Sequence, residues 1–317
     1  MNVAPANQPR QTSRLPALVS AVVVLTLIGV VCALSGDFRR GKSVVLGKDW
    51  PAAERVAIDK IDHGEWDRLL QRFVDDAGDV DYAAWKESPA DLQSLDDYLG
   101  GLSRAEPERA SHRDARLSFW INAYNALTIR GILREYSSTG TQNGGGASNR
   151  WNLWRDMNLH VGDRNFSLEQ IEHEILRPLR EPRIHFAIVC GSRGCPRLLN
   201  RAYRTGDLEQ QMRENSWNFF ADPRKLEYDP VTGRLNLSPI LKWYAKDFGE
   251  SERDVLETIA PYLPDRVTRG RPGSGGLRMG YLDYDWSLNE QTAPAIPPPV
   301  PPDTEARQSD RRTEERE

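Results

Sequence analysis

The chain has 317 residues, of which 39% are hydrophobic, nine are tryptophan and three are cysteine, with a formal net charge of −4 at neutral pH. That length accommodates one large or two small domains. With 42 basic against 46 acidic residues and no long run of one sign, there is no electrostatic footprint for nucleic acid.

Residues 1–14 form a short polar tail carrying Arg10 and Arg14. The next stretch, LPALVSAVVVLTLIGVVCALSG, is uncharged and apolar for roughly the length a helix needs to cross a bilayer. It predicts a transmembrane helix or signal anchor over residues 15–36. A cleaved signal peptide with Ala33-Leu34-Ser35 at the cleavage site is the alternative. A lipoprotein signal fits poorly, because Val31 stands where a small residue should precede Cys32. Residues 37–44 read as a linker. A short tail before a large domain favours a single-pass protein of the cell membrane with its globular part extracytoplasmic. Arg39, Arg40 and Lys42 nevertheless rival the earlier arginines under the positive-inside rule. The expected partners are the membrane, through residues 15–36, and an envelope ligand or protein.

Residues 45–289 read as one globular domain of the α+β class, helix-rich around a small β-sheet. EWDRLLQRFV and LQSLDDYLGGL predict helices on either side of a turn at GDVDYAAW. The run at residues 117–136, LSFWINAYNALTIRGILREY, is apolar on nearly all sides, as expected of a helix inside a core. SSTGTQNGGGASN follows as a surface insertion, and NLHVGDRNFSL as a hairpin. Ser167 and Gln170 have the spacing of a capping box opening a helix over residues 168–179. RIHFAIVC, residues 183–190, is apolar and continuous enough for a central strand. DLEQQMRENSWNFF predicts a helix, and LNLSPILKWYAKDF a strand and then a helix with Ser238 as cap and Pro239 first. LRMGYLDYDWSLN predicts a final strand. Residues 290–317 are Pro-rich and then charged, too poor in apolar side chains to order themselves.

Several of these pieces, in this order, resemble the family known as domain of unknown function 547. They are GDVDYAAW, FWINAYNALTI, FSLEQIEHEILR, RIHFAIVCGSRGCPRL, Ala202-Tyr203, LSPILKWYAKDF and YDWSLN, together spanning about residues 65–289. The resemblance implies a shared fold and surface, and secreted or anchored bacterial relatives, but no activity or substrate. The glycine-rich insertion after Tyr136 is the main departure.

Candidate chemistry centres on Cys190 and Cys195, the two cysteines outside the apolar run. In an oxidising compartment they read as a disulfide, with glycines at both ends of the intervening GSRG to close the turn. Alternatively one is a nucleophile, with His185 as base. On a regular strand residues 185 and 190 face opposite sides, so that pairing needs the chain to bend, which Gly191 allows. Cys195 before Pro196 could instead open a short helix. Thiol–disulfide exchange is a further reading; a zinc site lacks both spacing and a fourth ligand, and no metal or cofactor is expected. Glu172 falls within the apolar stripe formed by Leu168, Ile171, Ile175, Leu176 and Leu179, with His173 at its edge. A buried carboxylate is paired, protonated or functional. The plain expectation is an ion pair with Arg183 or Arg130; the sharper one is a general acid or base, or an orienter of histidine. Asn122 and Asn125 share one face of the buried helix and either tie down loop backbone or contact substrate, and Ser192 is a further polar candidate. Asp247, Asp283 and Asp285 lie among aromatics and read as core margin. Two functions remain open: a thiol-dependent hydrolase or acyltransferase using a Cys/His pair, and a non-catalytic envelope-binding or scaffold module with a structural Cys190–Cys195 bond.

Overall fold

The computed structural model describes residues 43–109, 111–136, 154–269 and 277–292. The proposed transmembrane segment, the glycine-rich insertion and the tail beyond residue 292 lie outside the described residues. Among the described residues no helix is long and apolar enough to cross a membrane. The described residues from Val45 onward belong to one compact unit.

Three helices, α1 (Gly64–Phe73), α2 (Tyr82–Lys86) and α3 (Pro89–Leu102), pack by their aromatic faces. Trp66 stacks on Tyr98 with centroids 5.8 Å apart, and Phe73 on Trp85 at 4.6 Å. Aromatic pairs in these offset geometries add about 0.5–1.5 kcal/mol beyond their buried area. Against them lies α4 (Arg113–Glu135), of whose 23 residues sixteen are buried, as its all-round apolar sequence predicts.

The expected hairpin follows as β1 (Met157–Val161) and β2 (Arg164–Ser167), antiparallel, turning at Gly162. The capping box then forms as read: Ser167 Oγ accepts from the Gln170 N–H, and Gln170 Oε1 accepts from the Ser167 N–H. The helix it opens, α5 (Leu168–Gln170), widens at once into a π-helical stretch, Ile171–Leu176, and closes with a tight turn, Arg177–Leu179. A π-helix bonds residue i to i+5, a wider turn than that of the α-helix, and such segments recur at functional sites.

RIHFAIVC is not a strand. Pro182–Phe186 is a 3₁₀-helix, capped where Glu181 accepts from the Arg183 N–H, and residues 187–190 run on without a ladder. Part of their backbone bonds back to Ile184, and two groups are satisfied by a side-chain amide. Asn125 Nδ2 donates to the Ala187 carbonyl (3.0 Å) and its Oδ1 accepts from the Val189 N–H (3.0 Å). Further along, Asn122 bonds both backbone groups of Tyr203, at 2.8 and 2.9 Å. From the other side, α6 (Leu208–Ala221) sends Asn215 Nδ2 to the Phe186 carbonyl and Gln211 to Ala202 and Arg204. A coil is thus buried between two helices, with amides from both meeting several of its backbone groups.

Nor is there one sheet at the centre. Among the described residues the strands form three separate small sheets. The last holds β3 (Leu226–Asp229) and β4 (Arg234–Leu237), antiparallel, with β5 (Arg278–Tyr281) parallel to β4. A parallel pair needs a long crossover, which here carries α7 (Ile240–Trp243), α8 (Ala245–Phe248) and α9 (Glu252–Ile259). The expected cap shifts by one residue: Pro239 is the N-cap and the helix begins at Ile240, whose N–H donates to Ser238 Oγ from the turn before it. Only residues 278–281 of the expected final strand pair; the rest crosses back to the 190s. There Gly194 N donates to Asp285 O, Arg193 N to Ser287 O and Asn289 N to Gly191 O. Contacts continue through Gln291, whose N–H donates to Val80 O, two residues past the expected boundary.

Candidate functional site

Cys190 and Cys195 are joined by a disulfide with Cα atoms 6.2 Å apart, within the usual span of such bonds. Gly191, at φ +75°, supplies the left-handed residue that turns the chain straight after Cys190. Tyr284 from the returning segment covers the bond: its hydroxyl lies 2.9 Å from Ser192 Oγ and 3.2 Å from Cys195 Sγ. Ser192 Oγ is also 3.0 Å from Cys190 Sγ, so this predicted polar residue holds the corner in place. Gly194 has to be glycine for the tyrosine to fit: an added Cβ would lie 2.9 Å from the Tyr284 ring and 2.9 Å from Asp285 O. Gly194→Ala is expected to push Tyr284 off the disulfide and cost about 1–3 kcal/mol, the range of an overpacked site. Thermal unfolding and tryptophan emission together report it; an unchanged midpoint and spectrum would show that the contact is slack.

Beside the disulfide is a cavity of about 450 Å³. It is lined by Glu172, His185, Cys190 and Cys195, the four residues singled out for chemistry, together with Thr128. The strand-parity objection to bringing His185 and Cys190 together falls away because neither sits on a strand. Its walls are aromatic: Tyr124 and Trp154, then Trp243 and Tyr244, then Tyr284 and Trp286. Leu168, Ile188, Val189 and Ile240 complete them. Asn122 and Asn125 do not reach the cavity; both are used on backbone, the structural option.

Glu172 is 2% exposed and stands on the π-helical stretch. Arg183 is taken by Glu181 and Glu209, and Arg130 by Asp96, so the expected ion pair does not form. The Tyr124 hydroxyl donates to Glu172 Oε2 at 3.1 Å, while Oε1 is buried without a hydrogen-bond partner. Thr128 Oγ1, one turn along α4 from Tyr124, is likewise buried and unpartnered. Burial and the neighbouring carboxylate push the Tyr124 phenol well above its ordinary pKa, and the Tyr244 phenol is raised by the same two causes. Both remain protonated hydrogen-bond donors across the working pH range.

His185 is 3% exposed, with its ring stacked on Tyr244 at 4.0 Å. Its Nε2 meets Asp247 Oδ2 at 2.7 Å, a contact that requires the ring hydrogen on Nε2, since a carboxylate only accepts. Arg177 bonds both oxygens of Asp247, at 2.6 and 2.9 Å, and His173 Nδ1 lies 2.9 Å from Arg177 Nη1. Burial alone would raise the Asp247 pKa; the hydrogen bonds from His185 and Arg177 outweigh it and hold the carboxyl well below the usual range. The carboxylate orienting His185 is therefore Asp247, not Glu172. Asp247 had been placed at the core margin, where its aromatic surroundings concealed its role. Asp283 and Asp285 are exposed and do not line the cavity. Among the described residues no group of three or more His, Cys, Asp or Glu side chains is arranged to hold a metal ion.

A family model described as "Protein of unknown function, DUF547" matches residues 107–220. Those residues of the chain belong to that family. The match is shorter than the resemblance in sequence: it includes α4, the hairpin, the Glu172 segment, the disulfide corner and α6. Asp247 and the walls from Ile240 to Trp286 lie beyond it. No curated protein and no solved structure matches the chain.

Proposed function

We propose that this domain is a binding module that takes a small organic molecule, or one end of a larger one, into the aromatic cavity. The observation that carries this reading is the cavity itself, with a buried carboxylate oxygen in its wall that has no hydrogen-bond partner among the described residues. Sites of this volume with apolar walls and few polar groups are the usual form of small-molecule pockets. In the same reading the module is tethered through residues 15–36 and works outside the cytoplasm. The apolar run and the disulfide support that placement, since such bonds persist where thiols are oxidised.

A second reading, a thiol-dependent hydrolase or acyltransferase, is favoured by one specific observation: both cysteines, His185 and Glu172 line one cavity. It requires the disulfide to be reduced first, because the thiolate is the nucleophile. Alkylation of the purified full chain with iodoacetamide, read by intact mass, separates the two. Of the three cysteines, only Cys32 should label in denatured, unreduced protein, and all three after reduction. Rapid labelling of Cys190 or Cys195 in native protein after mild reduction, slowed by His185→Ala, would instead favour the thiol enzyme.

A further inference from the structure

The charges around the cavity specify its guest. Glu172 and Asp247 are carboxylates, and Arg177 is the guanidinium that both influence. Arg177 is committed to Asp247 through two hydrogen bonds, and His185 is committed there as well. His173 meets Arg177 rather than Glu172. Among the described residues no Lys, Arg or His forms an ion pair with Glu172. The Tyr124 hydroxyl occupies only one of its oxygens. A carboxylate at 2% exposure with a free acceptor is expensive to bury unless positive charge or a hydrogen-bond donor is brought to it. Thr128 Oγ1 adds a second buried, unpartnered oxygen on the same lining.

The rest of the wall suits a cation that carries hydrocarbon. Aromatic faces attract ammonium groups, more strongly when water is excluded. At the mouth, Trp243 is 50% exposed and Trp286 is 41% exposed, stacked with centroids 5.8 Å apart, with Tyr284 between 4 and 5 Å from each. Exposed aromatic clusters of this kind mark contact surfaces. They offer a flat landing for the apolar body of a guest whose charged end lies deeper.

Resting on the binding-module reading, we infer that the cavity recognises an organic ammonium: a protonated amine on an apolar stem, donating to Glu172 Oε1 and Thr128 Oγ1, with its stem along the aromatic walls. An ammonium brings three donors and no acceptor, which suits Glu172 Oε1, an acceptor only, and Thr128 Oγ1, whose lone pairs can accept. A neutral alcohol of the same shape can reach the same oxygens but leaves the carboxylate charge uncompensated.

The test is isothermal titration of the purified full chain with benzylamine and with benzyl alcohol at neutral pH, alongside tryptophan emission from the cavity rim. Benzylamine is expected to bind at least about tenfold tighter than the alcohol, the ratio that corresponds to a charge-assisted hydrogen bond. Glu172→Gln, which keeps the acceptor for Tyr124, should erase that preference. The wild-type comparison stands whether or not this variant folds. Equal binding of the two probes overturns the ammonium inference and leaves the binding module intact. If neither probe binds at millimolar concentration and rim emission does not change, both fall.

Discussion

Asn125→Ala is expected to destabilise the domain by about 2–5 kcal/mol, more than any surface change could. The figure follows from what the amide leaves behind, since each orphaned buried backbone group costs about 1–3 kcal/mol. Here there are two, the Ala187 carbonyl and the Val189 N–H, with the amide itself 1% exposed. The loss should also spread to the cavity, because residues 188 and 189 line it and lead into Cys190. Denaturant unfolding gives the stability, and the rate at which a mild reductant opens the disulfide gives the local effect. Both should change together. Asn125→Asp is the informative partner: it retains an acceptor for Val189 but sets a carboxylate oxygen against the Ala187 carbonyl. A loss below about 1 kcal/mol in the alanine variant would mean that water replaces the amide, and that the coil is held by packing alone.

The second large effect belongs to Asp247. Asp247→Ala leaves Arg177 and the buried His185 without the carboxylate both of them meet, and should cost about 2–3 kcal/mol. That is below the range for a fully buried pair because the Asp247 side chain is 21% exposed. Its pH dependence has a definite sign. The folded-state pKa is depressed, so the folded protein binds fewer protons than the unfolded chain over that interval. The contribution is fully present above the ordinary aspartate value of about 4 and is lost progressively as pH falls below it. Asp247→Asn should therefore flatten the acid limb of the stability curve while changing little between its ends in shape or packing. An acid limb of unaltered slope in the asparagine variant would show that other carboxylates dominate acid unfolding.

How far the sequence reaches can be seen residue by residue. The buried helix α4, the capping box at Ser167, the hairpin and the bend at Gly191 are all local signals, and all are present. Glu172 was marked by its place in an apolar stripe, and it is buried. What failed was the inference from continuous hydrophobicity to a strand at residues 183–190. An apolar run reports burial, but periodicity cannot separate a buried strand from other buried conformations. The deciding groups, Asn125 and Asn215, lie far along the chain from the segment they hold. The paired amides on α4, Asn122 and Asn125, were noticed as hydrogen-bonding groups needing partners. Gln211 and Asn215, four apart on α6, share a helix face in the same way and complete the clasp. Asp247 was missed as the partner of His185 because 62 residues separate them, and the distal cavity walls for the same reason.

The returning segment at residues 284–289 has a consequence for how the protein is made. A chain emerges from the ribosome in order, at about 5–20 residues per second. The 164 residues between Asn125 and Asn289 thus take on the order of 10–30 s to synthesise at that pace. For part of that interval Cys190 and Cys195 have emerged while Tyr284, the residue that covers them, has not. During that interval the two thiols form an open corner that an oxidant can reach before Tyr284 arrives to cover it. Vectorial synthesis thus gives the cysteines their access early and withdraws it late.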